Sequence, residues 1–108
     1  MITIDHFRAL DLRVGTVRAA EPHPHADRLL VLRVDLGGEE RQLVAGIRAD
    51  YEPAALIGRQ VVVVANLEPA RLRGVESQGM VLAASDEGSN RIVLVRPDEA
   101  VRPGTVVR

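Results

Sequence analysis

The sequence predicts an all-β fold: a small five-stranded barrel with one short helix between strands three and four. Three observations predict it. Short apolar runs rich in β-branched residues recur along the chain, separated by clusters of Gly, Pro, Asn and Asp. One stretch after the third run, RADYEPAALIGRQ (48–60), carries helix punctuation, with Pro53 at the start of a turn over 53–57 and Gly58 just past its end. Gly15 stands inside a strand pattern, where a small barrel needs a bulge or a tight bend.

The elements follow in order. ITIDHFRAL (2–10) is expected to form a short helix, capped by Thr3 or Asp5, with Ile4, Phe7 and Leu10 on one face. DLRVGTVRAAEP (11–22) is the first strand. HPHAD (23–27) is a loop, because Pro22 and Pro24 bar a regular ladder. In RLLVLRVDLGG (28–38) Leu30, Leu32, Val34 and Leu36 face one way and Val31, Arg33 and Asp35 the other, before a Gly-Gly turn into the return strand EERQLVAGI (39–47). QVVVVANL (60–67) is continuously apolar, so it is buried on both sides or covered by a partner. GMVLAAS (79–85) and RIVLVR (91–96) are further strands joined by the turn DEGSN (86–90), and VRPGTVVR closes the chain with a Pro-Gly turn and a Val-Val pair. This order, with the helix after strand three, is that of the oligonucleotide/oligosaccharide-binding (OB) barrel.

Composition narrows the function. The 108 residues suit one domain, 1–108, with no internal repeat. Cysteine is absent, which removes disulfides, thiol nucleophiles and cysteine-based zinc sites. No apolar stretch approaches a membrane span and the N-terminus lacks signal-peptide features, so a soluble cytoplasmic protein without a membrane partner is expected. The net charge is −1, so any nucleic-acid binding must come from a local cluster, and all 14 basic residues are arginine. Phe7 and Tyr51 are the only aromatics, too few for a base-stacking platform. No phosphate loop, serine elbow or paired His-acid signature appears, so neither catalysis nor a cofactor is expected. His23, His25 and Asp27 are closely spaced around a stiffening Pro24 and lack an evident fourth ligand, so no metal site is expected either.

DLRVGTV, HADRLLVLRVDLG, LVAGI, VVVVANLEPARLRGVESQGM and VLAA occur in this order. Together they resemble the tRNA-binding domain found at the C-terminus of bacterial methionyl-tRNA synthetases, as a free-standing structure-specific tRNA-binding protein, and in synthetase-associated cytokine precursors. The likeness covers roughly 6–108 and is most specific over 61–83. His25 departs from the asparagine common at this place in the family. A branch of secretion-associated chaperones shares the fold and length, but Leu43–Ile47 and Ser77–Met80 follow the tRNA-binding branch. The resemblance implies an OB barrel whose N- and C-terminal extensions form a homodimer interface. It also implies recognition of the tRNA elbow by shape, auxiliary to aminoacylation and with methionyl-tRNA synthetase as a candidate partner. The alternative is the protein-binding chaperone of the same fold.

The stretch NLEPARLRGVESQGM (66–80) puts much polar chemistry between two core strands. Asn66 at a strand end can offer its amide to a base edge or ribose hydroxyl, or cap a turn at its own backbone. Arg71 and Arg73, two apart, share a direction if the backbone is extended, and each can fork onto a phosphate or pair with Glu68 and Glu76. Ser77 offers a hydroxyl, and Met80 offers a soft surface for a base or fills the core. Arg28 and Arg33 lie on or near strand two, part of the binding face of such barrels, and solvated strand positions are the competing reading; Arg48, after strand three, is read in the same way. Ile2, Ile4, Phe7 and Leu10 at one end, and Val101, Val106 and Val107 at the other, either plug the barrel or form a twofold interface.

Overall fold

The computed structural model describes all 108 residues. Helix α1 (Ile4–Arg8) is capped by Thr3, whose hydroxyl accepts the His6 amide at 3.3 Å. Strand β1 (Leu12–Pro22) is the spine: Leu12–Thr16 pair antiparallel with β4 (Gln60–Val64), and Thr16–Pro22 pair with β2 (Leu30–Asp35). Strands β2 and β3 (Glu40–Ala45) form the expected hairpin, with Gly37 and Gly38 both at positive φ in its turn. Helix α2 (Pro53–Leu56) begins at Pro53 as expected.

Further along lie β5 (Ala70–Leu72), β6 (Val75–Ser77), β7 (Met80–Val81), β8 (Ala83–Asp86), β9 (Arg91–Leu94) and β10 (Val106–Val107). The main sheet runs β3-β2-β1-β4-β7, with β10 added beside β1, and it curls into a nearly closed barrel. This is the all-β, OB-like architecture that the pattern predicts.

The core follows from alternation. Leu30, Leu32, Val34 and Leu36 point inward with Val17, Leu43, Leu56, Val61 and Val63. Full burial of each such side chain stabilises by roughly 1.5–3 kcal/mol. The run Val61–Val64 is buried throughout because its faces serve two clusters. Val61 and Val63 face the barrel interior, while Val62 and Val64 join Leu12 beneath Phe7, Leu82 and Val107. The cover over the outer face is therefore the chain's own terminal segments.

Two expectations are corrected. The bulge falls at Arg18, between the pairs Val17↔Val34 and Ala19↔Arg33, not at Gly15. Gly15 is needed for close packing: a Cβ there would sit 2.3 Å from Val34 Cγ1 and 2.9 Å from Leu36 Cδ2. GMVLAAS is not one strand. After β7 the Leu82 amide still bonds the Val62 carbonyl at 2.9 Å, but β8 then leaves the sheet to pair with β9.

Candidate nucleic-acid interface

The polar stretch 66–80 builds its own hairpin. Strands β5 and β6 pair through Ala70↔Ser77, Arg71↔Glu76 and Leu72↔Val75, leaving Arg73-Gly74 as a two-residue turn with φ of 53° and 88°. Positive φ at both centres is the twist-compatible hairpin turn, and glycine at the second centre suits it. Arg73 therefore occupies the tip, and the expected extended backbone that would align it with Arg71 does not form. Arg71 Nη2 donates to the Gly74 carbonyl at 2.9 Å. Pairing with Glu68 or Glu76 is not realised, because the ion pairs of the chain are Arg13–Asp11, Arg18–Asp35 and Arg41–Glu39.

The inner strand of this hairpin closes the barrel against β3, largely through side chains. The Gln78 amide N–H donates to the Gln42 carbonyl at 2.8 Å, and the Gln42 amide N–H donates to Gln78 Oε1 at 3.1 Å. Gln42 Nε2 donates to the Glu76 carbonyl at 2.8 Å. Ser77 Oγ accepts the Val44 amide at 3.0 Å and donates to the Gly79 carbonyl at 2.9 Å. Arg41 Nη1 donates to the carbonyls of Ala65 and Gln78. Ser77 is buried, so its hydroxyl serves the seam rather than an open groove. Sequence reasoning missed Gln42, Gln78 and Arg41, whose partners lie far away in the chain.

Asn66 is likewise spent internally. Its Oδ1 accepts the Asp11 amide at 2.8 Å and its Nδ2 donates to the Ala9 carbonyl at 2.7 Å, holding the segment between α1 and β1. The expected presentation of this amide to a ligand gives way to that bond pair. Met80 is 46% exposed beside Val64, so it is not core filling.

Arg28, Arg33, Arg71 and Arg73 are all exposed, and none has a carboxylate ion-pair partner. Register links three of them. Arg33 lies opposite Gln42, Gln42 bonds Glu76, and Glu76 lies opposite Arg71, with Arg73 at the tip beyond. Arg28 follows the loop headed by His23, whose Nε2 lies 2.9 Å from the Leu72 carbonyl oxygen. Arg48, half-buried, donates its backbone amide to the Arg28 carbonyl at 3.3 Å.

Two concave features adjoin the barrel. A cleft of about 640 Å³ is lined by Arg28 and Arg91 but also by Asp50, Asp86 and Glu87, so it does not concentrate positive charge. Hydrogen bonds from Ser89 and the Gly88 amide hold the Asp86 carboxyl below the usual carboxylate range. A second cavity, of about 340 Å³, is apolar: Ile4, Phe7, Leu10, Val106 and Val107 line it, with Arg8 and Arg108 beside them. Of the terminal residues expected to be apolar neighbours, all meet there except Ile2, which is exposed, and Val101, whose backbone bonds the Gln60 amide instead. Phe7 and Val107 cover the outer face of the barrel wall over Leu12, Val62 and Val64 rather than plugging its interior, whereas Ile4, Leu10 and Val106 stay 59%, 45% and 46% exposed. No helix is long and apolar enough to cross a membrane.

Comparison with known proteins adds the lineage. The family model described as "Putative tRNA binding domain" matches residues 12–106. The methionine–tRNA ligase of Thermococcus kodakarensis is 53% identical over 107 residues, covering 99% of this chain and 14% of that protein. The chain thus spans about 14% of the length of such curated relatives. Among solved structures, a MetRS related protein from Pyrococcus horikoshii superposes with a TM-score of 0.92 at 36% identity, covering 100% of this chain and 98% of that one. The chaperone CsaA of Bacillus anthracis gives 0.90 at 36% identity, covering 100% and 99%.

Proposed function

The chain belongs to the putative tRNA-binding domain family, and from that premise we propose that it grips the folded corner of tRNA as a homodimer, in support of aminoacylation. Arg28, Arg33, Arg71 and Arg73 supply phosphate and ribose contacts, and Met80 offers an apolar surface to a base. Asn66 and Ser77 act one step back, holding the backbone that carries these groups. The observation that carries the reading is the set of unpaired guanidinium groups linked through the β2–β3 face and the β5–β6 hairpin. Guanidinium forks suit phosphate oxygens, and a near-neutral chain must concentrate them locally to hold RNA.

The fixed placement of these groups on a hairpin and a sheet favours an RNA whose bends match them, which is recognition by shape. The family description is of tRNA binding, and binding is the role this reading assigns. Dimerisation through Ile4, Leu10 and Val106 doubles the binding surface, and weak contacts on one protomer gain from that linkage. A methionyl-tRNA synthetase is the partner that the relatives favour.

A gel-shift titration with folded tRNA, unfolded tRNA and duplex DNA tests this directly. Preference for folded tRNA is the expected result, and equal affinity for all three would reject recognition by shape. A second reading, a chaperone for unfolded polypeptide, draws on the CsaA likeness. Binding to unfolded polypeptide that added tRNA leaves unchanged would favour it.

A further inference from the structure

Strand β5 forms one side-chain-mediated tether to the rest of the molecule beyond its own hairpin, the contact between Leu72 and His23. The His23 ring is 3% exposed and both its nitrogens are engaged. Nδ1 accepts the His25 amide N–H at 2.9 Å, and Nε2 lies 2.9 Å from the Leu72 carbonyl oxygen. A carbonyl only accepts and a backbone N–H only donates, so the neutral imidazole carrying its proton on Nε2 satisfies both. The backbone of the same residue donates to the Leu29 carbonyl at 3.0 Å, closing the loop that carries Arg28.

We propose that His23 is a positioning residue for RNA binding: its ring couples the Arg28 loop to the hairpin bearing Arg71 and Arg73 and sets the spacing at which their guanidinium groups meet one RNA. The inference rests on the tRNA reading above and extends it to a residue that touches no RNA. The ring has two separable duties. Nδ1 orders the loop, and Nε2–H holds the outer hairpin strand, which otherwise hangs from β6 alone.

Two isosteres separate them. His23→Asn places an amide oxygen where Nδ1 was, keeping the His25 contact and losing Leu72. His23→Gln reaches Leu72 and loses His25. Each is combined with Arg71→Ala and with Arg28→Ala, and affinity for folded tRNA is measured on samples shown to be folded. In the His23→Asn background the penalty for Arg71→Ala should shrink by about threefold or more, while that for Arg28→Ala persists. In the His23→Gln background the pattern should reverse. Penalties equal to those in the wild-type background would overturn the coupling. If Arg71→Ala and Arg28→Ala leave wild-type affinity unchanged, the arginine assignment itself fails and takes this proposal with it. If one isostere does not fold, the other still decides, since each predicts a loss confined to one arginine.

Discussion

Gln42 and Gln78 grip each other reciprocally across the closing seam of the barrel, the Gln78 amide donating to the Gln42 carbonyl and the Gln42 amide donating to Gln78 Oε1. A side-chain carbonyl here stands in for a strand carbonyl. Together with Ser77 it meets the obligatory hydrogen-bonding needs of β3 where no full ladder runs alongside. Much of the polarity between the two apolar runs is therefore architectural.

Ser77→Ala should leave the buried Val44 amide without an acceptor and destabilise the fold by about 1–3 kcal/mol. Urea unfolding would show a lower midpoint at unchanged slope, and tRNA affinity of the folded fraction should be largely preserved. A neutral substitution would mean that water replaces the hydroxyl.

Gly79→Ala should be more damaging than Gly58→Ala. Both glycines have positive φ, but a Cβ at 79 would lie 2.9 Å from the Val64 carbonyl oxygen whereas one at 58 meets open space. The expected costs are about 1–2 kcal/mol for Gly58 from backbone strain alone and more for Gly79. Thermal unfolding of the two variants side by side checks the order.

Arg71→Ala and Arg33→Ala should each reduce the dependence of log affinity on log salt by roughly 0.7–0.9, the value of one lost phosphate contact. Titrations of folded tRNA at several salt concentrations give the slopes. An unchanged slope would remove that arginine from the interface.

Val106→Asp should place a charge in the apolar cavity against Ile4 and Leu10 and convert a dimer to monomer in sedimentation. It should weaken tRNA binding through the loss of the paired surface. Asn66→Ala should act in the same direction more mildly, costing about 1 kcal/mol by releasing the segment behind α1.

Acid sensitivity should trace in part to Asp35. The Gly37 amide, and then the Arg18 guanidinium, hold its carboxyl below the ordinary range. A lowered native value means the bound-anion form adds stability above about pH 4, and this is lost as pH falls through the native value. Asp35→Asn should therefore narrow the difference between stabilities measured at pH 6 and pH 3.

Where structure is dictated locally, the sequence was sufficient. Leu30, Leu32, Val34 and Leu36 alternate over a whole strand, Gly37-Gly38 specify a tight turn, and Pro53 with Gly58 bracket α2. The polar stretch 66–80 was harder to read. Strands β5 and β6 are three residues each, too short for alternation to show, and Arg73 adopts a conformation its residue type disfavours. Asn66 and Ser77 were visible as polar residues, but their partners Ala9, Asp11 and Val44 lie 57, 55 and 33 positions away. A polar side chain does not advertise whether its partner is a ligand or a distant stretch of the same chain.

The pairing of Leu12 with Val107 has a kinetic corollary. The loop that must close before these residues meet runs from residue 12 to residue 107, so its entropic cost is among the largest in the barrel and the contact is slow to form. During synthesis, β10 emerges after every other strand of this barrel. The apolar surface shared by α1 and β10 is thus completed only once the other strands of the barrel are in place.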